Sequence, residues 1–329
     1  MAEVDASPSL VAPPANRPVG FKHILVAVDD SSVSAEGLRW AVALAERFGS
    51  LVSLLQVVDP ASSSNRFAPA LLALTEKNAE PAANEQLCGL ARERIPAAHR
   101  GDTLLRVGRP ASEIVTAARD AKADLLVLSA QTSEGRRHPP HEATARQIVR
   151  RAPCPTLIVR ETVKLSQWPG PAAFASTLWK RIFLPVDLSD TSRRLLGLAS
   201  SLAEPGRTSI TLLYTPALYE NRTPDGTKQQ SLLRAQTPVQ LVHRLSAWAS
   251  PYVATEVELN VVPEIGMPAA EVIALLAARA RTDLILASRR AASWWRQLIE
   301  GRMVEQLLRI ASCSVLTLPD ATRGDLPCL

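Results

Sequence analysis

Four arginines and two tryptophans crowd one short stretch of the chain. Arg289, Arg290, Arg296 and Arg302 surround Trp294 and Trp295, and Gly301 stands just before the last arginine. Guanidinium groups grip phosphate oxygens bidentately, indole faces stack on a base, and glycine lets backbone N–H groups approach an anion. Such a set could hold a nucleotide or another anion. It reads equally as a solvated basic loop whose tryptophans cover a sheet edge. Two acidic residues, Asp29 and Asp187, each follow a short apolar run. They could face the polar part of a ligand or cap the next helix or turn.

Other chemistries find less support. His138, His141 and Glu142 are metal-ligand types, but Pro139 and Pro140 argue against a helix, and no further His or Cys lies nearby in sequence. A polar surface loop is the simpler reading, and no metal is assigned. Cys88, Cys154, Cys313 and Cys328 form no C-x-x-C pair, which suggests a reduced compartment. Cys154 and Cys313 precede apolar runs, as buried structural cysteines do. No Walker A, G-x-G-x-x-G, G-x-S-x-G or H-E-x-x-H motif is present. Serines and histidines occur, but spacing brings no nucleophile–base pair together. No catalytic residue follows, and a binding or regulatory protein fits better than a conventional enzyme.

The elements that would position these residues alternate. Ile24–Val28 reads as a buried parallel strand. Leu38, Ala41, Val42 and Ala45 share one face of a helix that Gly49 ends. Strands follow at Leu51–Val58, Thr103–Val107, Leu125–Ser129 and Thr156–Arg160. Helices at Asn84–Ile95, Ala111–Ala121 and Ala143–Arg151 separate them. That order implies βαβ crossovers and a parallel sheet with helices on both faces.

The order then repeats. Ile182–Asp187 matches Ile24–Asp29, Gly266–Glu271 matches Gly108–Glu113, Asp283–Ser288 matches Asp124–Ser129, and Ala311–Ser314 matches Ala152–Pro155. The offset stays at 158 to 159, so the chain is a duplication. Residues 21–162 and 179–320 are the two expected copies. A flexible tail precedes them at 1–20, a linker joins them at 163–178, and a second tail follows at 321–329. The length suits two domains. Apolar residues at 47% and charged residues at 21% are ordinary globular values. A net charge of +5 fits an anionic ligand but is too small and scattered to announce nucleic acid. No run is apolar enough to span a membrane, and no secretory signal opens the chain. A soluble, cytoplasmic protein is expected.

The V-D-x-S strand end and the G-x-P-x-x-E helix start of both copies, with the A-D-L strand and the A-P-C-P entry of copy one and their T-D-L and A-S-C-S counterparts in copy two, in order, resemble the universal stress protein (UspA-type) family. The resemblance implies α/β architecture: two doubly wound domains, each with a mostly parallel five-stranded sheet flanked by helices, adenine nucleotide alpha hydrolase-like. It also implies dimers or tandem pseudo-dimers. One subset of that family binds ATP or AMP through a G-x2-G-x9-G-[ST] loop after the fourth strand. Counting back from A-P-C-P places that pattern on Ser129, Thr132, Glu142 and Ala143 in copy one, and all four depart from it. A carboxylate at Glu142 would repel phosphate. In copy two the positions fall on Ser288, Ala291, Gly301 and Arg302. The resemblance makes Asp29 and Asp187 the positions facing adenine and ribose. Asp187, Ser288, Arg289, Arg290, Gly301, Arg302 and Asp29 are therefore the candidate nucleotide-binding residues. The expected protein is a non-catalytic stress-response binder with protein partners or self-association. Two alternatives stand beside it: an ATP/AMP sensor or slow ATPase using copy two, and a binder of another small molecule through the long loops Pro60–Pro81 and Pro216–Pro238.

Overall fold

A computed structural model describes residues 20–29, 34–60, 79–130, 140–160, 178–186, 188–214, 238–263, 270–288 and 302–319. Copy one runs β1 (His23–Val28), α1 (Ser34–Phe48), β2 (Leu51–Val58), α2 (Ala79–Arg94), β3 (Arg100–Val107), α3 (Pro110–Asp120), β4 (Leu125–Ser129), α4 (Pro140–Arg151) and β5 (Thr156–Val159). Copy two runs β6 (Arg181–Val186), α5 (Asp190–Leu202), β7 (Ser209–Tyr214), α6 (Pro238–Ala249), β8 (Glu258–Pro263), α7 (Ala270–Arg279), β9 (Leu284–Ser288), α8 (Arg302–Ile310) and β10 (Ser314–Leu318). The ten strands form one sheet in the order β3-β2-β1-β4-β5-β10-β9-β6-β7-β8. All neighbours are parallel except β5 and β10, which meet antiparallel at the centre. Each copy thus has strand order 3-2-1-4-5. The order reverses between its first and fourth strands, the crevice where open α/β sheets take ligands.

The strands are apolar on both faces, as parallel strands covered by helices must be. On one face Ile24, Val26 and Val28 pack with α1, α2, α5 and α6 in a core that runs through both copies. On the other face the core divides, with Leu25 under α3 and α4 and Phe183 under α7 and α8.

The repeated motifs have structural work of their own. The Asp124 carboxylate accepts the backbone N–H groups of Lys22 (2.7 Å) and His23 (3.0 Å). Asp283 does the same for Lys180 (3.0 Å) and Arg181 (2.8 Å). The aspartates that open the fourth strand of each copy therefore pin the entry of the neighbouring first strand. Gly108, at φ +150°, lies where a Cβ would stand 3.0 Å from the Glu113 carboxylate, and Pro110 opens α3. That accounts for the G-x-P-x-x-E spacing.

Two helices start earlier than the sequence suggests. α2 begins at Ala79 and includes Pro81, and α4 begins at Pro140 and includes His141 and Glu142. Pro140, which argued against a helix at 138–142, marks its start, and His138 and Pro139 lie outside the described residues. Proline fits the first helical turn, where the N–H it lacks has no intrahelical partner. β3 also extends back to Arg100 across a bulge: Val52 faces Arg100, but Leu54 faces Thr103. The Ser53 hydroxyl bridges the irregularity by accepting the Asp102 N–H (2.9 Å). Gly101 is required beside it, because a Cβ would stand 2.5 Å from Ser53 Oγ and 3.1 Å from the Val52 carbonyl. Gly101→Ala is expected to cost about 1–3 kcal/mol of stability by overpacking, seen as a lower urea midpoint with an unchanged slope. An unchanged midpoint would show that the bulge relaxes freely.

Candidate functional site

The crevice of copy one lies between the ends of β1 and β4, which pair in parallel through Ile24–Leu125 and Val26–Val127. Asp29 follows β1 and is exposed. Its backbone N–H donates to the hydroxyl of buried Ser34 (2.7 Å), the first residue of α1. Across the crevice, Ser129 ends β4 and its hydroxyl accepts the Gly37 N–H (3.0 Å). Gly37 is the fourth residue of α1, close to the start of that helix. A Cβ on Gly37 would overlap the Ser129 hydroxyl. At the place where the resembling loop carries its first glycine, a serine side chain thus closes on the α1 backbone. Nearby, Glu36 is buried. It accepts the Trp40 indole N–H (3.2 Å) and pairs with Arg39 (2.9 Å).

The crevice of copy two lies between β6 and β9. Ser288 ends β9 and is buried. Leu188 adopts φ 60°, a left-handed turn after the strand. Ser189 then caps α5 by accepting the Ser192 N–H (3.2 Å). Arg302 is the first residue of α8. Asp187, Arg289, Arg290, Gly301, Trp294, Trp295 and Arg296 lie outside the described residues, as do Thr132 and His138. The structure therefore brings together Asp29 with Ser129 across one crevice, and Ser288 with the turn after β6 across the other. Sequence reasoning missed Ser34, Glu36 and Gly37. The available signal was Gly37 itself, since a glycine inside a helical pattern marks close approach by something else.

A serine–histidine pair does exist, contrary to the expectation from spacing. His23 Nε2 lies 2.8 Å from Ser53 Oγ, and His23 Nδ1 lies 2.9 Å from the Ala121 carbonyl. The carbonyl can only accept, so Nδ1 carries the proton, and in the neutral ring Nε2 accepts from Ser53. Residues thirty apart in sequence meet because β1 and β2 are neighbours. Ser53 is 1% exposed at the entry edge of the strands, opposite the crevice, so the pair orients the bulge and offers no reachable nucleophile. Among the described residues no three His, Cys, Asp or Glu side chains are placed to hold a metal ion. No described helix is long and apolar enough to cross a membrane.

Cys154 and Cys313 are buried. Burial pushes both thiols up from 9.0 to about 12. Asp124 adds to the rise at Cys154. At Cys313 Arg160 opposes it and Asp283 adds to it.

Fold and crevice together define a doubly wound tandem α/β protein with a ligand edge at each copy. The universal stress protein family model matches residues 20–160 and 178–319, so the chain belongs to that family. Universal stress protein MJ0531 of Methanocaldococcus jannaschii is 30% identical over 151 residues, covering 44% of this chain and 85% of the relative. Two solved structures share the fold across both copies. A universal stress protein from Archaeoglobus fulgidus superposes with a TM-score of 0.60 at 16% identity, covering 91% of this chain and 98% of the other. Protein PA1789 of Pseudomonas aeruginosa gives 0.54 at 15% identity, covering 91% and 92%.

Two outcomes follow. Gly37→Ala should destabilise the chain strongly on its own and only weakly beside Ser129→Gly, because the second change removes the clashing hydroxyl. Thermal melts of the four proteins read the coupling, and additive losses would deny the Gly37–Ser129 contact. The raised thiols predict a second trend. Unfolded cysteines ionise near 9 while the buried pair stays neutral to about 12, so stability holds below pH 9 and falls as pH rises through that window. Cys154→Ala/Cys313→Ala should flatten the fall in midpoint between pH 8.5 and 10.5, and an unaltered slope would assign it to other groups.

Proposed function

We propose that this tandem universal stress protein is a non-catalytic binding and regulatory protein of the stress response, acting in the cytoplasm, in which copy one has given up the nucleotide loop. The observation that carries the reading is the Ser129–Gly37 hydrogen bond. A phosphate-binding crevice works by presenting free backbone N–H groups at a helix start and in a glycine-rich loop. In copy one the Ser129 side chain is packed against the start of α1 at the place of the loop's first glycine, and the loop pattern at Thr132, Glu142 and Ala143 lacks the glycines and hydroxyl of a phosphate loop. The reading treats 21–162 and 179–320 as the two units and 163–178 as their connection.

A second reading has one observation in its favour. Arg302 opens α8, a nine-residue helix that follows the loop after β9. A guanidinium at a helix N-terminus adds to the positive end of the helix dipole and suits an anion. ATP or AMP held there by Asp187, Ser288, Arg289, Arg290, Gly301 and Arg302 would make copy two a nucleotide sensor, with copy one as its fixed companion.

Thermal-shift titration with ATP, ADP and AMP separates the two. A ligand selective for the folded state at a hundred times its dissociation constant stabilises it by about 2.7 kcal/mol. The first reading expects no shift with any of the three. A shift abolished by Arg302→Ala and Asp187→Ala would install the sensor in copy two. A shift that survives both substitutions and is lost in Asp29→Ala would restore copy one as a nucleotide site and sink the first reading.

A further inference from the structure

Several arginines at the boundary between the copies meet an acceptor on the other copy, and one facing pair does not. On one face of the sheet Trp40 of α1 stacks on Trp179 with ring centroids 5.3 Å apart. Beside them Arg47, near the end of α1, donates to the Ser201 (3.2 Å) and Ala203 (2.8 Å) carbonyls at the end of α5. The last carbonyls of a helix lack intrahelical partners, and a cation there also meets the negative end of the dipole. On the other face Arg160, buried just after β5, donates to the Leu308 carbonyl in the last turn of α8. Arg150 of α4 pairs with Glu305 of α8.

α4 and α8 each lead into a seam strand, β5 or β10, and those strands are antiparallel. The two helices therefore run antiparallel, over a floor to which Val149 and Leu308 both contribute. The Arg150–Glu305 pair sets their register. One turn back along α4 is Arg146, and one turn on along α8 is Arg309, so these two positions face each other. The repeat offset agrees: Arg146 is the counterpart of Glu305, and Arg309 of Arg150. The locus that holds a guanidinium and a carboxylate on one side of the pseudo-two-fold thus holds two guanidiniums on the other.

Arg146 is half-buried, and its Nε is shielded from solvent with no hydrogen-bond partner. Among the described residues neither Arg146 nor Arg309 has an ion-pair or hydrogen-bond partner. Glu305, the only carboxylate of α8, is the one held by Arg150. The carbonyls at the end of α8 do not account for Arg309 either, since Leu308 accepts from Arg160 and Leu307 from the Ala311 N–H (2.8 Å).

We propose that Arg146 and Arg309 form an anion site between α4 and α8, filled by a free tetrahedral oxyanion of the phosphate or sulfate type. Each guanidinium presents a planar fork of donors that takes two oxygens. A tetrahedral dianion has oxygens for both forks and balances both charges, whereas a carboxylate, which suffices opposite Arg150, would balance one. With no anion between them, the like charges act against the helix contact. None of the candidate nucleotide residues belongs to this site, so it is independent of whether either crevice takes a ligand.

Isothermal titration calorimetry of the full chain with inorganic phosphate and, separately, with sulfate, each against chloride at matched ionic strength, tests the site. Saturable binding of a single ion is expected, weakened about tenfold or more by Arg146→Gln and by Arg309→Gln, because each removes a charged donor. The tighter of the two anions names the ion. Heats no larger than those of chloride, or binding that both variants retain, would overturn the proposal. Arg146→Glu supplies a second readout. It builds the reciprocal of the Arg150–Glu305 pair, so it should raise the melting midpoint in chloride and erase the further gain in phosphate. A midpoint that falls, or that still responds to phosphate as the parent chain does, would show that the two positions do not share an anion.

Discussion

The covering of β5 is the constraint on which the rest of the molecule depends. Its four residues, Thr156–Val159, are buried throughout, and a five-stranded parallel sheet would leave them as an open apolar edge. Such an edge is a template for indiscriminate pairing. β10 closes it, with Ser314 Oγ accepting the Arg160 N–H (3.2 Å) and Thr317 Oγ1 donating to the Thr156 carbonyl (3.3 Å). Once the seam is set, the core over α1, α2, α5 and α6 becomes continuous across both copies. The seam also leaves the two crevices at the far ends of β1–β4 and β6–β9, clear of the central ladder.

The crevice of copy one shows how separately a fold and its strand-end edge are specified. The strand order that creates the crevice is enforced by the core and by the aspartates at the strand entries, Asp124 and Asp283, all remote from the ligand edge. The donors that would bind an anion are held only locally. A serine at the end of β4 meets a glycine in the first turn of α1 through a single hydrogen bond. Fold and ligand chemistry thus rest on different residues, which is why membership of the family leaves the activity open.

Much of the fold was legible in the chain because strand and helix periods, glycine ends and the 158–159 repeat are local or repeated signals. The elements that shifted did so for local reasons as well: Pro81 and Pro140 lie in first helical turns, and Arg100 joins β3 only because Ser53 repairs a bulge. The site was legible only in outline. Asp29 and Ser288 stand at the strand ends where the pattern put them. The long-range contacts at the two strand edges, Ser129 with Gly37 and His23 with Ser53, join residues 92 and 30 apart, and their partners are chosen by strand order. No spacing rule contains that information. The seam was hidden for the same reason, since the antiparallel ladder and the Trp40–Trp179 stack exist only once two sheets are laid edge to edge.

Fusion of the copies explains how their surfaces could diverge. In a two-fold symmetric dimer every substitution acts twice, because residue i meets residue j and j meets i. An arginine at position 47 would then have to be tolerated both as a cap and as the end of the helix being capped. Joining the copies by a short connection turns association into an intramolecular event at high effective concentration. That removes the need for self-complementarity, and α5 can end a turn early while α1 runs on and supplies the missing cap. The same freedom applies to the crevices. A substitution in one crevice need not be matched in the other, because the seam holding them together no longer requires the halves to be alike.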